Sequence, residues 1–450
     1  MKIIIGVIFL LVIHLFILFN LQFTAWPEMF SYPYLLNNSF KLYQDIALPY
    51  QPLLVLILSV VYKIFGFNLL TLQLFTWTTI LISDFLIFFI SRKIIGKKAL
   101  SLVPLSLYIF VQPLTSGNML WFDLATVPFI LLGILSSLYR KTFWMGFFLS
   151  FAFFIKQQTG VAIILLIVYF LVYRQFRQLP KFFFGLVVPV ILVLLFIILS
   201  GLMGDYLFWT TIVPLFWYPK FPGYSNWPST KEFIEIFILF IPGLLACFNG
   251  LNQWNKRGEI FKIILLIFAG TFLVAFPRFD FFRFQPAVAV YIVLLSLILN
   301  KKNALIVSLP ILLVSVVLVK SNLGNINLPA RFYGPQEIAL AKQIDELTLP
   351  SNRIYLLGVP SIEYVLSNRL PPKPWVDNYV WYMEIDGMQD KVLAGFEREK
   401  PKIIVWQIPQ IGNWYSLGTY QPKRIVEYIR QHYEKTAQFE KGVQVWQRKD

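Results

Sequence analysis

The stretch NNSFKLYQDIALPYQPLLVLILSVVYKIFG, residues 37–66, decides how the chain is read. It opens polar, carries one acid (Asp45), turns at Pro-Tyr-Gln-Pro and closes on a short apolar run over 53–65. A helix needs about 20 apolar residues to cross a bilayer, and a run of about 10–14 is more typical of a re-entrant or interfacial segment. If this run crossed, Lys2 and the later basic clusters would face opposite sides. If it does not cross, residues 24–68 form one large outer loop and Asp45 sits at the bilayer edge.

The rest of the chain supports the second reading. Of 450 residues, 58% are hydrophobic and only 14% charged, with a mean hydropathy of +0.67. A soluble domain cannot hide that much apolar surface. Apolar segments run over 3–23, 69–91, 99–114, 121–139, 143–155, 161–173, 182–200, 233–250, 260–276, 286–299 and 303–319. The clusters Arg92/Lys93/Lys97/Lys98, Arg140/Lys141, Arg174/Arg177/Lys181, Lys256/Arg257 and Lys301/Lys302 follow every second segment, so one topology places all of them in the cytoplasm. The net charge of +16 is then a membrane-topology signal and does not point to nucleic acid. Because Arg140/Lys141 and Arg174/Arg177 share a side, 143–173 must be a hairpin with its tip, Lys156 to Gly160, near the outer face. The first segment is longer than a secretory signal core and lacks an A-x-A site, so it reads as a retained helix. The single cysteine, Cys247, excludes a disulfide framework.

Eleven crossings follow, with the N-terminus inside and the C-terminus outside. Residues 1–319 form the transmembrane part. Residues 320–450 mix acids and bases and read as a small α/β domain on the outer face. RIYLLG, PKIIVWQIP and VQVWQRK read as strands there, PQEIALAKQIDEL and PKRIVEYIRQHYEKTAQF as helices.

Polar residues at membrane depth are costly and usually functional. On this topology Glu28 and Asp45 lie in the first outer loop, Asp123 opens the fourth crossing, and Asp280 sits between Arg278 and Arg283. Acids can serve as a general base or hold a metal, and cations can hold a phosphate. Each has a structural alternative. Glu28 and Asp45 could be ordinary loop acids, Asp123 a charge at a helix N-terminus, Asp280 an ion-pair partner of its arginines, and Lys156 a snorkelling side chain. Asp84, inside the second crossing, favours a helix–helix hydrogen bond. His14, His432 and Cys247 lack partners at metal-ligand spacing and read as structural. No P-loop or Rossmann glycine pattern is present, so a donor carried in the membrane suits the chain better than a soluble nucleotide.

The order of these features resembles the polytopic family C glycosyltransferases (GT-C), close to the protein O-mannosyltransferase and aminoarabinose transferase group, glycosyltransferase family 39-like. The resemblance rests on Glu28 with Tyr32 four residues on, LYQD at 42–45, Pro52-Leu53 opening a short helix that ends in KIFG, Asp123 after the third crossing, FIKQQTG at the hairpin tip, and PRFDFFRFQP before a late helix. It implies an all-α polytopic integral membrane protein of about 11 transmembrane helices, with a small C-terminal α/β extracytoplasmic domain. It further implies an inverting transfer of a sugar from a polyprenyl-phosphate donor to a lipid, glycan or protein acceptor, at the outer face of a bacterial cytoplasmic membrane. Glu28 takes the place of the family's catalytic acid, usually Asp, with Asp45 beside it. Lys156, Arg278 and Arg283 are the candidates for the donor phosphate, because Gln51 stands where some relatives have a lysine. Asp45 and Asp123 are candidates for a divalent cation, Mg or Mn. Tyr32, Gln51 and Asp280 complete the expected pocket. Membrane lipids are partners and nucleic acid is not. A transporter or flippase for lipid-linked glycans is the alternative; it should show inverted repeats, which the sequence lacks. A non-enzymatic assembly subunit would not need an outer acid.

Overall fold

The computed structural model describes the chain except for residues 1, 97–98, 222–223, 253–257, 277, 378–379, 408–420, 440–441 and 450. Each of the apolar segments above coincides with a helix, from Lys2–Asn20 and Leu69–Ile95 to Gln285–Ser296 and Ala304–Asn322. Four described helices are long and apolar enough to cross a membrane by length and composition. The pair Thr142–Ile155 and Gly160–Val172 is joined by a tight turn at Gln157–Thr159, as the hairpin reading requires. The basic residues Lys97, Lys98, Lys256 and Arg257 lie outside the described residues.

The chain gathers into two compact units. The first comprises residues 1–24, 72–196 and 225–329. Its centre is Gln285–Ser296, a helix buried along its whole length. Close helix approach depends on glycine, as at Gly146 and Gly185. A Cβ on Gly146 would lie 2.2 Å from the Phe182 carbonyl oxygen, and one on Gly185 would lie 2.0 Å from that of Phe143. Small residues let backbones meet in this way where the hydrophobic effect cannot drive helices together. The expected interhelical bond of Asp84 is present: its carboxylate accepts from His14 Nδ1 at 2.7 Å, both residues being fully buried. His14 is thus structural, as read, but it is not isolated. Its other ring nitrogen meets the Gln112 amide oxygen at 3.1 Å.

The second unit gathers residues 25–71, 197–224 and 330–450. Residues 25–71 thus cluster with the C-terminal residues, and residues 320–329 with the first unit. Residues 25–71 contain two helices, Glu28–Asn37 and Leu53–Phe65. The second has the short length read from sequence. Pro52 precedes it, and Gly66 stops it at φ +82°, a conformation L side chains rarely adopt. Leu54, Val55, Leu58, Ser59 and Tyr62 are buried, whereas Val60, Ile64 and Phe65 are exposed. One face is thus packed, and the other is apolar and exposed. The Ser59 hydroxyl donates to Asn37 Oδ1 at 2.5 Å, and Phe30 stacks on Tyr62, tying the two helices together.

The C-terminal residues form a four-stranded sheet in the order β1-β2-β4-β3, with β1 Ile354–Leu357, β2 Ile403–Gln407, β3 Tyr433–Gln438 and β4 Val443–Arg448. β1 and β2 are parallel; β4 runs antiparallel to both β2 and β3. The strand readings hold, and so does the helix Pro335–Leu347. The helix expected over 422–439 is corrected: it ends at His432 and the chain continues as β3.

Candidate active site

In the second unit the site residues cluster around the N-terminus of Glu28–Asn37. Pro27 precedes Glu28, so the acid opens the helix, where the exposed backbone N–H groups favour negative charge. Glu28 is only 6% exposed, and its Oε2 has no hydrogen-bond partner. The nearest influence of like charge is Asp377, itself buried. Burial, with the Asp377 charge adding to it, pushes the Glu28 carboxyl up to about 8. Tyr32, one turn on, packs edge-on against Trp375 at 5.8 Å. Trp375 in turn is held by backbone bonds: its N–H donates to the Asp45 carbonyl at 2.7 Å, and its carbonyl accepts from Ala47 at 3.1 Å. The Asp45 region therefore helps place Asp377, two residues beyond Trp375.

Asp45, unlike Glu28, is paired with a cation. Its carboxylate accepts from Lys373 Nζ at 3.0 Å and from the Lys41 backbone N–H at 2.9 Å. Gln51 is buried and accepts from the Tyr206 hydroxyl at 2.8 Å. Tyr206 packs edge-on against Tyr43.

Asp377, Lys373 and Glu363 are site or near-site residues that the sequence reading did not select. Asp377 sits in PPKPWVDNYVWY, and an acid enclosed by prolines and aromatics is the one local signal that could have marked it. Glu363 is fully buried with both carboxylate oxygens unpartnered, and burial, with the Glu337 charge adding, pushes it up to about 9. Glu363 is 0% exposed and Glu28 6%.

The first unit holds the other predicted residues. Lys156 ends the helix Thr142–Ile155, and Asp123 lies in the first turn of Phe122–Leu138. The Lys156 ammonium donates to Asp123 Oδ1 at 2.5 Å, and both residues are buried. Asp123 is therefore more than a helix-terminal charge, and Lys156 does not snorkel. The Arg283 guanidinium bears on Lys156 as a like charge and lies over the Phe282 ring. Asp280 precedes the turn Phe281–Phe284. Burial pushes its carboxyl up, while Arg283 and Arg278 pull it back. The structure thus brings Asp123, Lys156, Asp280, Arg278 and Arg283 into one neighbourhood with more positive than negative groups.

The expected metal pair does not fit these surroundings. Asp45 and Asp123 are each held by a lysine ammonium, which stands where a cation's charge would be. No group of three or more His, Cys, Asp or Glu side chains suited to a metal occurs among the described residues.

A helix-rich chain with an acid opening the helix Glu28–Asn37, a short apolar helix after it and a small C-terminal sheet has the GT-C fold. Three solved structures of two proteins carry that conclusion. ArnT from Cupriavidus metallidurans bound to undecaprenyl phosphate superposes with a TM-score of 0.62 at 12% identity, covering 99% of this chain and 97% of that one. Its apo state gives 0.60 at 11% identity with the same coverage. The Archaeoglobus fulgidus oligosaccharyltransferase in complex with Zn and sulfate gives 0.54 at 11% identity, covering 98% of this chain and 73% of that one. At such identities the likeness is one of fold. No family model and no curated protein matches the sequence.

Proposed function

We propose that the protein transfers a sugar from a polyprenyl-phosphate carrier to a hydroxyl of an acceptor at the outer face of the membrane, with inversion. The observation that carries this reading is Glu28: a buried carboxylate at a helix N-terminus, raised toward neutral pH by burial and a second acid, and without a neutralising cation. A general base works best when its pKa lies near the working pH. Glu28 takes the proton of the acceptor hydroxyl while that oxygen bonds to the anomeric carbon. The bond from that carbon to the phosphate oxygen breaks, and the phosphate leaves on the lipid. Arg278, Arg283 and Lys156 are the residues assigned to the phosphate, as charge-assisted donors. With Lys156 bonded to Asp123, the arginines have the larger share. ArnT, of the same fold, was solved with undecaprenyl phosphate bound, which supports a polyprenyl-phosphate partner here.

The test is Glu28→Gln, which keeps shape and hydrogen bonding but cannot accept the proton. Membranes containing the variant should transfer radiolabelled sugar from a polyprenyl-phosphate donor about 10²- to 10⁴-fold more slowly, the usual contribution of a general base, at unchanged donor binding. Transfer at the wild-type rate would remove the mechanism.

A further inference from the structure

Apart from the Glu28 cluster, the second unit contains a cavity of about 230 Å³. Its walls come from the first outer loop (Tyr43, Gln44), from the 197–224 segment (Asp205, Phe208, Trp209) and from the C-terminal residues, where Lys391 reaches it. Tyr43 is held at φ +68°, a strained conformation for an aromatic residue. Its hydroxyl donates to the Tyr50 carbonyl, so it offers the cavity only its ring. Trp209 is buried and braced edge-on by Tyr382, at the start of a π-helical stretch, Phe208–Trp217; such windings often occur at functional sites. Against these rings stand three polar side chains. The Asp205 carboxylate, the Gln44 amide and the Lys391 ammonium make no side-chain hydrogen bond or ion pair among the described residues. Lys391 rests near the Phe208 ring, 5.9 Å from its centre.

We propose that this cavity binds one uncharged sugar ring of the acceptor. An aromatic wall takes the C–H face of such a ring, and the carboxylate, amide and ammonium together offer acceptors and donors for adjacent hydroxyls. The carboxylate and the ammonium balance, which suits a neutral ligand. The volume lies below the range of about 300–1,000 Å³ typical of drug-sized ligands, so one ring fits and a lipid-linked oligosaccharide does not. The assignment to the acceptor rests on the transferase reading; sugar binding does not.

The experiment is saturation-transfer NMR on the full chain in nanodiscs with methyl glycosides of glucose, mannose, galactose and N-acetylglucosamine. At least one should receive saturation on its ring protons. The double variant Asp205→Asn/Lys391→Ala, both at accessible positions, should raise its apparent Kd at least tenfold. Lys342→Ala, an exposed change elsewhere in the same unit, should leave it unchanged. No binding by any glycoside, or equal binding by the double variant, overturns the site. The two readings fail separately. Glycoside binding with no sugar transfer by the wild-type protein removes the transferase and leaves a sugar pocket. An inactive Glu28→Gln variant without glycoside binding removes the pocket alone.

Discussion

Glu28 and Asp123 are both buried acids in the first turn of a helix, and they have opposite surroundings. Asp123 is met by an ammonium at 2.5 Å. Glu28 is met by another acid. Burial of a charge is costly unless it is paired, so the first arrangement neutralises its acid and the second leaves the cost standing. A buried acid is therefore not a catalytic candidate by burial alone; the missing cation is what distinguishes Glu28. Glu363 also lacks a partner, and it differs from Glu28 in being wholly without exposed surface.

Three substitutions probe the contrast, in falling order of effect. Asp123→Asn strands a buried lysine. Breaking one side of a buried pair costs about 3–5 kcal/mol, so the variant should melt far below the wild type in detergent, and Asp123→Asn/Lys156→Met should recover much of the loss. A single variant that melts like the wild type would mean that the pair is not a structural unit. Arg283→Gln comes next. If Arg283 holds the donor phosphate, losing a charge-assisted bond should cost about 1.5–3 kcal/mol, read as a rise in donor KM with acceptor KM unchanged. Lower stability with normal donor KM would reduce Arg283 to a companion of Asp280. The smallest effect belongs to Asp45→Asn. Its pair with Lys373 is partly solvated, so less than about 1 kcal/mol of stability is at stake. Titrating Mg or Mn into the variant should leave transfer unaltered; rescue by either ion would restore the metal assignment.

The legible parts of the molecule are those set by local sequence. Leu53–Phe65 was readable because Pro52 and Gly66 bound it and its length is too short to span. The hairpin at Lys156 followed from charge alone. β3 was not readable, since Glu434, Lys435, Ala437 and Gln438 tolerate a helix as well as a strand. Pairing with β4, and the Tyr433 hydroxyl donating to the Pro401 carbonyl at 2.9 Å, decide the matter from outside the segment. The site divides in the same way. Glu28 was marked by its place after Trp26-Pro27, but Asp377 becomes its neighbour only through the backbone pairing of Trp375 with residues 45–47. Likewise, the position of Asp84 announced an interhelical bond without naming His14 as its partner.

The pH dependence of transfer in the wild type and in Asp377→Asn tests the central claim most directly. A base must be deprotonated to act, so with its carboxyl raised to about 8, kcat/KM should climb with pH and level off above that value. Removing the neighbouring acid removes the like charge that helps raise Glu28, so the midpoint of the climb should move to lower pH. A midpoint unmoved by Asp377→Asn, or a rate that falls as pH rises through this range, would contradict Glu28 as the uncompensated base.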